Sequence, residues 1–247
     1  GLRQVQADQL HEADPNGGIK VCVVDSGYEA GHEDLPLSNV TGSSAGAGSW
    51  FSGPLDGHGT HVAGTIAANG NNGVGLSGVI SNAESAVPLH IVRVFNADGG
   101  FAHASGLVGA LQSCQDAGAN VVNMSLGGGL PSKFEQRAFE NFRKEGMLLI
   151  AAAGNSGSAT HSYPASYDSV MSVAANDEDT GKAGFSQFTT QVEISAPGVG
   201  VGSTYVGNSY AILSGTSMAS PHVAGSAALV WSHYPTCSNY EIRNALK

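Results

Sequence analysis

Residues 19–27 read IKVCVVDSG. Apart from Lys20, the run Ile19–Val24 is apolar and dominated by valine. Such a run, without polar alternation, suits a strand covered on both faces, as strands inside parallel sheets are. It stops at Asp25-Ser26-Gly27, which reads as a strand's carboxyl end passing into a turn. The same grammar repeats outward. Helices are predicted over 59–68, 105–117, 133–144 and 218–232, and strands over 87–95, 120–124, 147–152 and 170–174. Strands alternating with helices predict an α/β chain with a parallel sheet and right-handed crossovers. Residues 42–53, the stretch richest in glycine and serine, read as a long loop. No repeat or composition shift divides the chain, so residues 1–247 are read as one domain.

Composition narrows the function. The net charge is -10, from 10 Lys and Arg against 20 Asp and Glu, and no run of basic residues offsets it. Such a surface repels nucleic acid and anionic lipid. The longest apolar run, Met147–Ala153, is far too short to cross a bilayer. The chain has 35 glycines, about double the ordinary share. They imply tight turns and close backbone approaches. Gly1 is no translational start, so processing or trimming is expected. The 3 cysteines allow one internal bridge at most. Buried thiols, a Cys22–Cys114 bridge if the helix of Cys114 packs beside the strand of Cys22, and pairing of Cys237 outside this chain all stay open.

In parallel sheets, chemistry gathers at the carboxyl ends of the strands. Those ends read Asp25-Ser26-Gly27, Ser125-Leu126-Gly127-Gly128 and Gly154-Asn155-Ser156-Gly157. Each alone is also what a cap or turn looks like. The string Gly73-Val74-Gly75-Leu76-Ser77-Gly78 matches a dinucleotide fingerprint in letters only, because it follows a helix and a turn-like Gly70-Asn71-Asn72. His58 and His61 share a helical face and, with Asp25, offer two imidazoles and a carboxylate to a metal. A different chemistry uses the same Asp25 and His58 with Ser217. Serine is a weak nucleophile until a base takes its proton. Histidine does so near neutral pH, and an aspartate on its far nitrogen fixes the tautomer. Activity would then rise as His58 loses its proton, with a limb between about pH 6 and 8.

Four segments carry a resemblance: Val23-Val24-Asp25-Ser26-Gly27, His58-Gly59-Thr60-His61-Val62-Ala63-Gly64, Ala152-Ala153-Gly154-Asn155 and Gly215-Thr216-Ser217-Met218-Ala219-Ser220-Pro221. As a set and in this order they resemble the subtilisin-like serine proteases. The resemblance implies a three-layer α/β/α fold with a mostly parallel seven-stranded sheet. It also implies endopeptidase activity through an acyl-enzyme with catalytic Asp25, His58 and Ser217. Asn155 and the Ser217 N–H would stabilise the oxyanion. Pro221, near the first turn of the last long helix, would remove little by lacking an N–H. Ser125, Leu126 and Gly127 would pair with extended substrate, Ala152 and Gly154 would wall the pocket beside them, and Gly99 and Gly100 would line the opposite rim. No acidic residue in these segments selects Lys or Arg, so a broad preference for large apolar or aromatic residues before the cut is expected.

The resemblance further implies protein and peptide substrates, a monomer, secretion, and an own propeptide that inhibits before maturation. Catalysis would need no cofactor. A structural calcium is expected at Asp34, Gly70, Asn72, Val74 and Leu76, since every second carbonyl of a looped backbone can turn inward and calcium takes six to eight oxygens. Two departures stand out. Thirty residues follow Ser217, fewer than most members have, so an autolytic or trimmed end is expected. The N-terminal glutamine that completes the calcium site in many relatives has no counterpart. A binding protein without turnover and a metal hydrolase are the other two readings. A serine-directed phosphonyl reagent and a chelator separate them from a serine protease.

Overall fold

The computed structural model describes residues 1–9, 18–45, 48–51, 56–82, 87–95 and 104–247. Nine strands are described: β1 Val21–Asp25, β2 Val40–Ser44, β3 Leu89–Arg93, β4 Val121–Met124, β5 Leu148–Ala152, β6 Val170–Asn176, β7 Val192–Pro197, β8 Val201–Tyr205 and β9 Ser209–Leu213. The described helices are α1 His58–Ala67, α2 Ala104–Asp116, α3 Lys133–Lys144, α4 Thr216–His233 and α5 Asn239–Ala245. β1 to β7 form one sheet in the order β2-β3-β1-β4-β5-β6-β7, every pairing parallel, and β8 pairs with β9 as an antiparallel hairpin. The chain first builds toward β2 and β3, then crosses β1 and continues from β4. β1 and β4 are therefore neighbours whose connections leave in opposite directions, the place where such sheets open a crevice.

Alternation along the buried strands makes the layers. Val21 and Val23 face the core shared with Val62 and Ile66 of α1 and Val223, Ala224 and Leu229 of α4. Cys22 and Val24 face the opposite core, with Leu107 and Leu111 of α2 and Phe139 and Phe142 of α3. Each fully buried large apolar side chain contributes about 1.5–3 kcal/mol, whereas an exposed ion pair contributes about 0–1. The two cores, not the surface pairs, therefore hold the layers together. α4 is apolar almost all round and correspondingly buried along most of its length. α3 buries little beyond Phe139 and Phe142, caps its start with Ser132 and ends on Arg143 and Lys144, where cations suit the helix dipole.

Cys22 of β1 and Cys114 of α2 are disulfide-bonded, with Cα atoms 5.7 Å apart. This settles the pairing left open by the sequence, and Cys237 keeps a free, half-buried thiol. The loop expected over 42–53 needs correction at its start. Residues 40–44 are β2, an edge strand paired to β3. Its burial is only partial, so it carries no apolar run to read.

Candidate active site

The carboxyl end of β1 delivers Asp25 and the start of α1 delivers His58. His58 Nδ1 lies 2.7 Å from Asp25 Oδ1, and Asp25 is fully buried while His58 is 31% exposed. The same Oδ1 accepts the Ser26 N–H at 2.7 Å, which fixes the carboxylate plane. Gly59 makes this approach possible: a Cβ there would run into the Gly27 carbonyl and lie 3.2 Å from Asp25 Oδ1. His61, one helical turn on, does not join them. Its Nε2 meets the carbonyls of Val201 and Ala211 at 3.0 and 3.2 Å, so it ties α1 to the β8–β9 hairpin. The two-histidine metal grouping is therefore not assembled.

Ser217 is the second residue of α4, and among the described residues its N–H makes no hydrogen bond, as expected of a donor in the first turn. Pro221 lies deeper in the helix than the sequence suggested. In a regular helix residue 221 would donate to the Ser217 carbonyl, and proline cannot. The Ser125 hydroxyl takes that role, donating to Ser217 O at 2.8 Å. Asn123 Nδ2 donates in turn to Ser125 Oγ at 3.0 Å, and Ser220 Oγ donates to Asn123 Oδ1 at 2.7 Å. This buried chain fastens the serine's turn to β4. The Ser217 hydroxyl donates to the Ser125 carbonyl at 3.2 Å. Contacts to a base often tighten only with substrate bound.

Asn155 follows β5 and is exposed. Its Oδ1 accepts both the N–H and the hydroxyl of Thr216, at 2.8 and 2.9 Å. Two donors on that oxygen turn the amide nitrogen the other way. Thr216 also accepts the Gly154 N–H at 3.1 Å. Buried Thr216 thus fixes the orientation of the Asn155 amide.

These groups open onto one cleft of about 570 Å³, lined by Asp25, His58, Ser217 and Asn155 together with Ser125, Leu126, Gly127, Ala152 and Gly154. Gly154 has φ +113° and packs on Gln187 so closely that a Cβ would overlap the carboxamide. Gly127 packs close to the Ser162 hydroxyl, and both line the cleft. Gly128 pairs with Tyr163 through two backbone hydrogen bonds. Gly99 and Gly100 lie outside the described residues.

The model of the subtilase family matches residues 16–247. The chain belongs to the subtilase family. It is a subtilisin-like serine endopeptidase. It is 45% identical to Subtilisin BL of Lederbergia lenta over 248 residues, covering all of this chain and 89% of that protein. It is 44% identical to an alkaline protease of Alkalihalobacillus alcalophilus, again over all of this chain but 63% of the relative. The solved structure of Apa1, a psychrophilic subtilisin-like protease from the Antarctic psychrotroph Pseudoalteromonas sp. AS-11, superposes with a TM-score of 0.90 at 31% identity, over 99% of this chain and 90% of that one.

In this subtilase, the Asp25 charge raises the His58 pKa to about 9, against burial, which lowers it. The hydrogen bond to Asp25 and the charge of Asp56 act in the same direction as Asp25. Thr216, Ser26, Asp56 and Gln187 belong to the site and were not singled out from sequence. Thr216 sits inside a quoted motif, so its position was visible. Ser26 sits inside another, Asp56 lies two residues before a third, and Gln187 alone of the four gave no local signal.

Of the residues expected to hold a cation, Asp34, Asn72 and Leu76 meet through hydrogen bonds. Asp34 is fully buried beneath the loop 70–76. Its Oδ1 accepts from Asn72 Nδ2 and its Oδ2 from the Leu76 N–H, each at 2.8 Å. Gly75 passes directly over the carboxylate. Among the described residues no group of three or more His, Cys, Asp or Glu gathers for a metal.

Proposed function

We propose that this subtilase cleaves extended protein segments through an acyl-enzyme on Ser217. The observation that carries the reading is the convergence of the buried Asp25–His58 pair, Ser217 and the Thr216-oriented Asn155 on one cleft. Ser217 Oγ attacks the scissile carbonyl carbon while its proton passes to His58 Nε2. Asp25 stabilises the imidazolium so formed. The oxyanion accepts hydrogen bonds from the Ser217 N–H and Asn155 Nδ2. Collapse breaks the C–N bond, and His58 returns the proton to the departing amine. Water then attacks the ester, His58 takes its proton, and Ser217 leaves with it. Incubation with a phosphonyl fluoride should stop hydrolysis and place the label on Ser217 by peptide mapping. Activity that survives full labelling, or a label elsewhere, would count against the assignment.

The free base form of His58 does this work, so a raised pKa moves the rising limb of kcat/KM upward. The expectation is a limb near 9, on the alkaline side of the range first read from sequence. A pH–rate profile with its limb at or below about 6.5, the ordinary imidazole value, would contradict the Asp25 coupling.

Small Gly127, Ala152 and Gly154 leave room for a large side chain before the cut, and no carboxylate stands among them. A broad preference for large apolar or aromatic residues there follows. The Cys22–Cys114 bridge suits an oxidising compartment and so supports secretion. An inhibitory propeptide and a monomeric mature form complete the reading on family grounds.

A structural calcium belongs to the same proposal. Asp34, Asn72 and the carbonyls of Gly70, Val74 and Leu76 are hard oxygen donors of the type calcium takes. The Asn72 amide presents nitrogen to Asp34 here and would have to turn its oxygen inward. Bound only by the folded form, calcium would stabilise by mass action. With Ser217 blocked, the unfolding midpoint in about millimolar calcium should exceed that in chelator by several degrees, and Asp34→Ala should abolish the difference. An unchanged midpoint would mean that the Asn72 and Leu76 donors satisfy Asp34 unaided.

A further inference from the structure

The cleft holds a second carboxylate that the hydrolytic steps do not require. Asp56 lies two residues before His58, is exposed and lines the same cleft. Its Oδ1 is fixed from two sides, by the Ser26 hydroxyl at 2.5 Å and the His58 N–H at 2.9 Å. Its carbonyl is held by the Tyr205 hydroxyl at 2.7 Å. Among the described residues Oδ2 has no hydrogen bond or ion pair. Among the described residues, the ionisable groups lining the cleft are Asp25, Asp56, His58 and His161, with no Lys or Arg. Asp25 is buried and engaged by His58. Among the described residues, Asp56 is therefore the solvent-facing negative charge of the cleft. Holding the first turn of α1 needs one neutral acceptor, which Asn or Ser supplies equally well. The charge and the unused oxygen exceed that task.

An extended peptide alternates its side chains between two sides. When one side chain enters the pocket between 125–127 and 152–154, its N-terminal neighbour turns toward the opposite wall, which carries His58 and Asp56. We infer that Asp56 selects a cationic side chain, lysine or arginine, at the substrate residue immediately N-terminal to the one filling that pocket. The selectivity rests on the endopeptidase reading above and adds a charged position to an otherwise apolar preference. The substrates it favours are basic segments, attracted as well by the net charge of -10.

The experiment compares two chromogenic peptides that differ only by Lys or Gln at this position, at about 20 mM ionic strength and at a pH where lysine is charged. The parent should favour the Lys peptide in kcat/KM by about three- to tenfold, and about 0.5 M salt should shrink that ratio. Asp56→Asn keeps an acceptor for His58 N–H and Ser26, and should bring the ratio close to one. Absolute rates will shift with His58, so the ratio is the readout. A parent ratio at or below one, or a ratio that neither salt nor Asp56→Asn changes, overturns the selectivity and leaves the endopeptidase standing. If neither peptide is cleaved and Ser217 resists the phosphonyl reagent, the endopeptidase reading falls and the selectivity falls with it.

Discussion

Ser217→Ala should lower turnover by about 10⁶-fold, the scale known for the equivalent loss in subtilisin itself, a member of this family. The nucleophilic oxygen is the only atom removed. Alanine is the best helix former, so α4 keeps its first turn, and the Ser217 carbonyl still accepts from Ser125 Oγ. The deleted hydroxyl forfeits one long hydrogen bond, 3.2 Å to the Ser125 carbonyl, so the fold should barely notice. What remains is catalysis by Asn155 and the backbone donor at residue 217, worth about 10³–10⁴ over water. His58→Ala should cost a similar factor, and the double variant little more, because the two act as one unit. The check is turnover at saturating peptide, with folding followed by circular dichroism. A residual rate within about a hundredfold of the parent would point to another nucleophile.

Asn155→Leu should lower turnover by about 10²–10³ and move KM by less than about threefold. The magnitude is that measured for the corresponding donor of subtilisin, not one calculated for this chain. Leucine has nearly the shape of asparagine and no N–H, so the variant removes a bond that strengthens only as the carbonyl oxygen gains charge. A second cost comes with it. The Thr216 N–H and hydroxyl lose their shared acceptor, and unsatisfied donors cost about 1–3 kcal/mol of stability. Active-site titration with the phosphonyl reagent separates the two effects. A loss of turnover per titrated site belongs to the oxyanion. A loss only in the number of titratable sites would make Asn155 a structural partner of Thr216.

Much of this was legible in one dimension, and the reason is local. A strand buried on both faces must be apolar and must end where polar chemistry begins, so β1, β4 and β5 announced themselves and pointed to Asp25, Ser125 and Asn155. α3 was readable to the residue because its charges lie on one side and its cap is a serine. β2 and β7 were not legible. They are the sheet's two edges, held largely by backbone hydrogen bonds that any residue can make, and their side chains carry little burial signal. The β8–β9 hairpin escaped for a similar reason, with exposed Tyr210 and Ile212 on one strand.

The sequence by itself therefore determined the layer order, the carboxyl-edge placement of Asp25, Ser125 and Asn155, and the choice of Asp25, His58, Asn155 and Ser217 as the proposed site. These follow from periodicity, from residue chemistry and from resemblance, each of which acts over a few neighbouring positions. Only the tertiary structure decided which cysteines pair, that Ser125 satisfies the carbonyl left open by Pro221, that Thr216 turns Asn155, and that Asp56 reaches Ser26 across 30 positions. Each of these is a contact between segments distant in the chain. A hydrogen bond of that kind depends on where two elements come to rest, and their packing is set by the volume of the whole core rather than by the letters beside either partner.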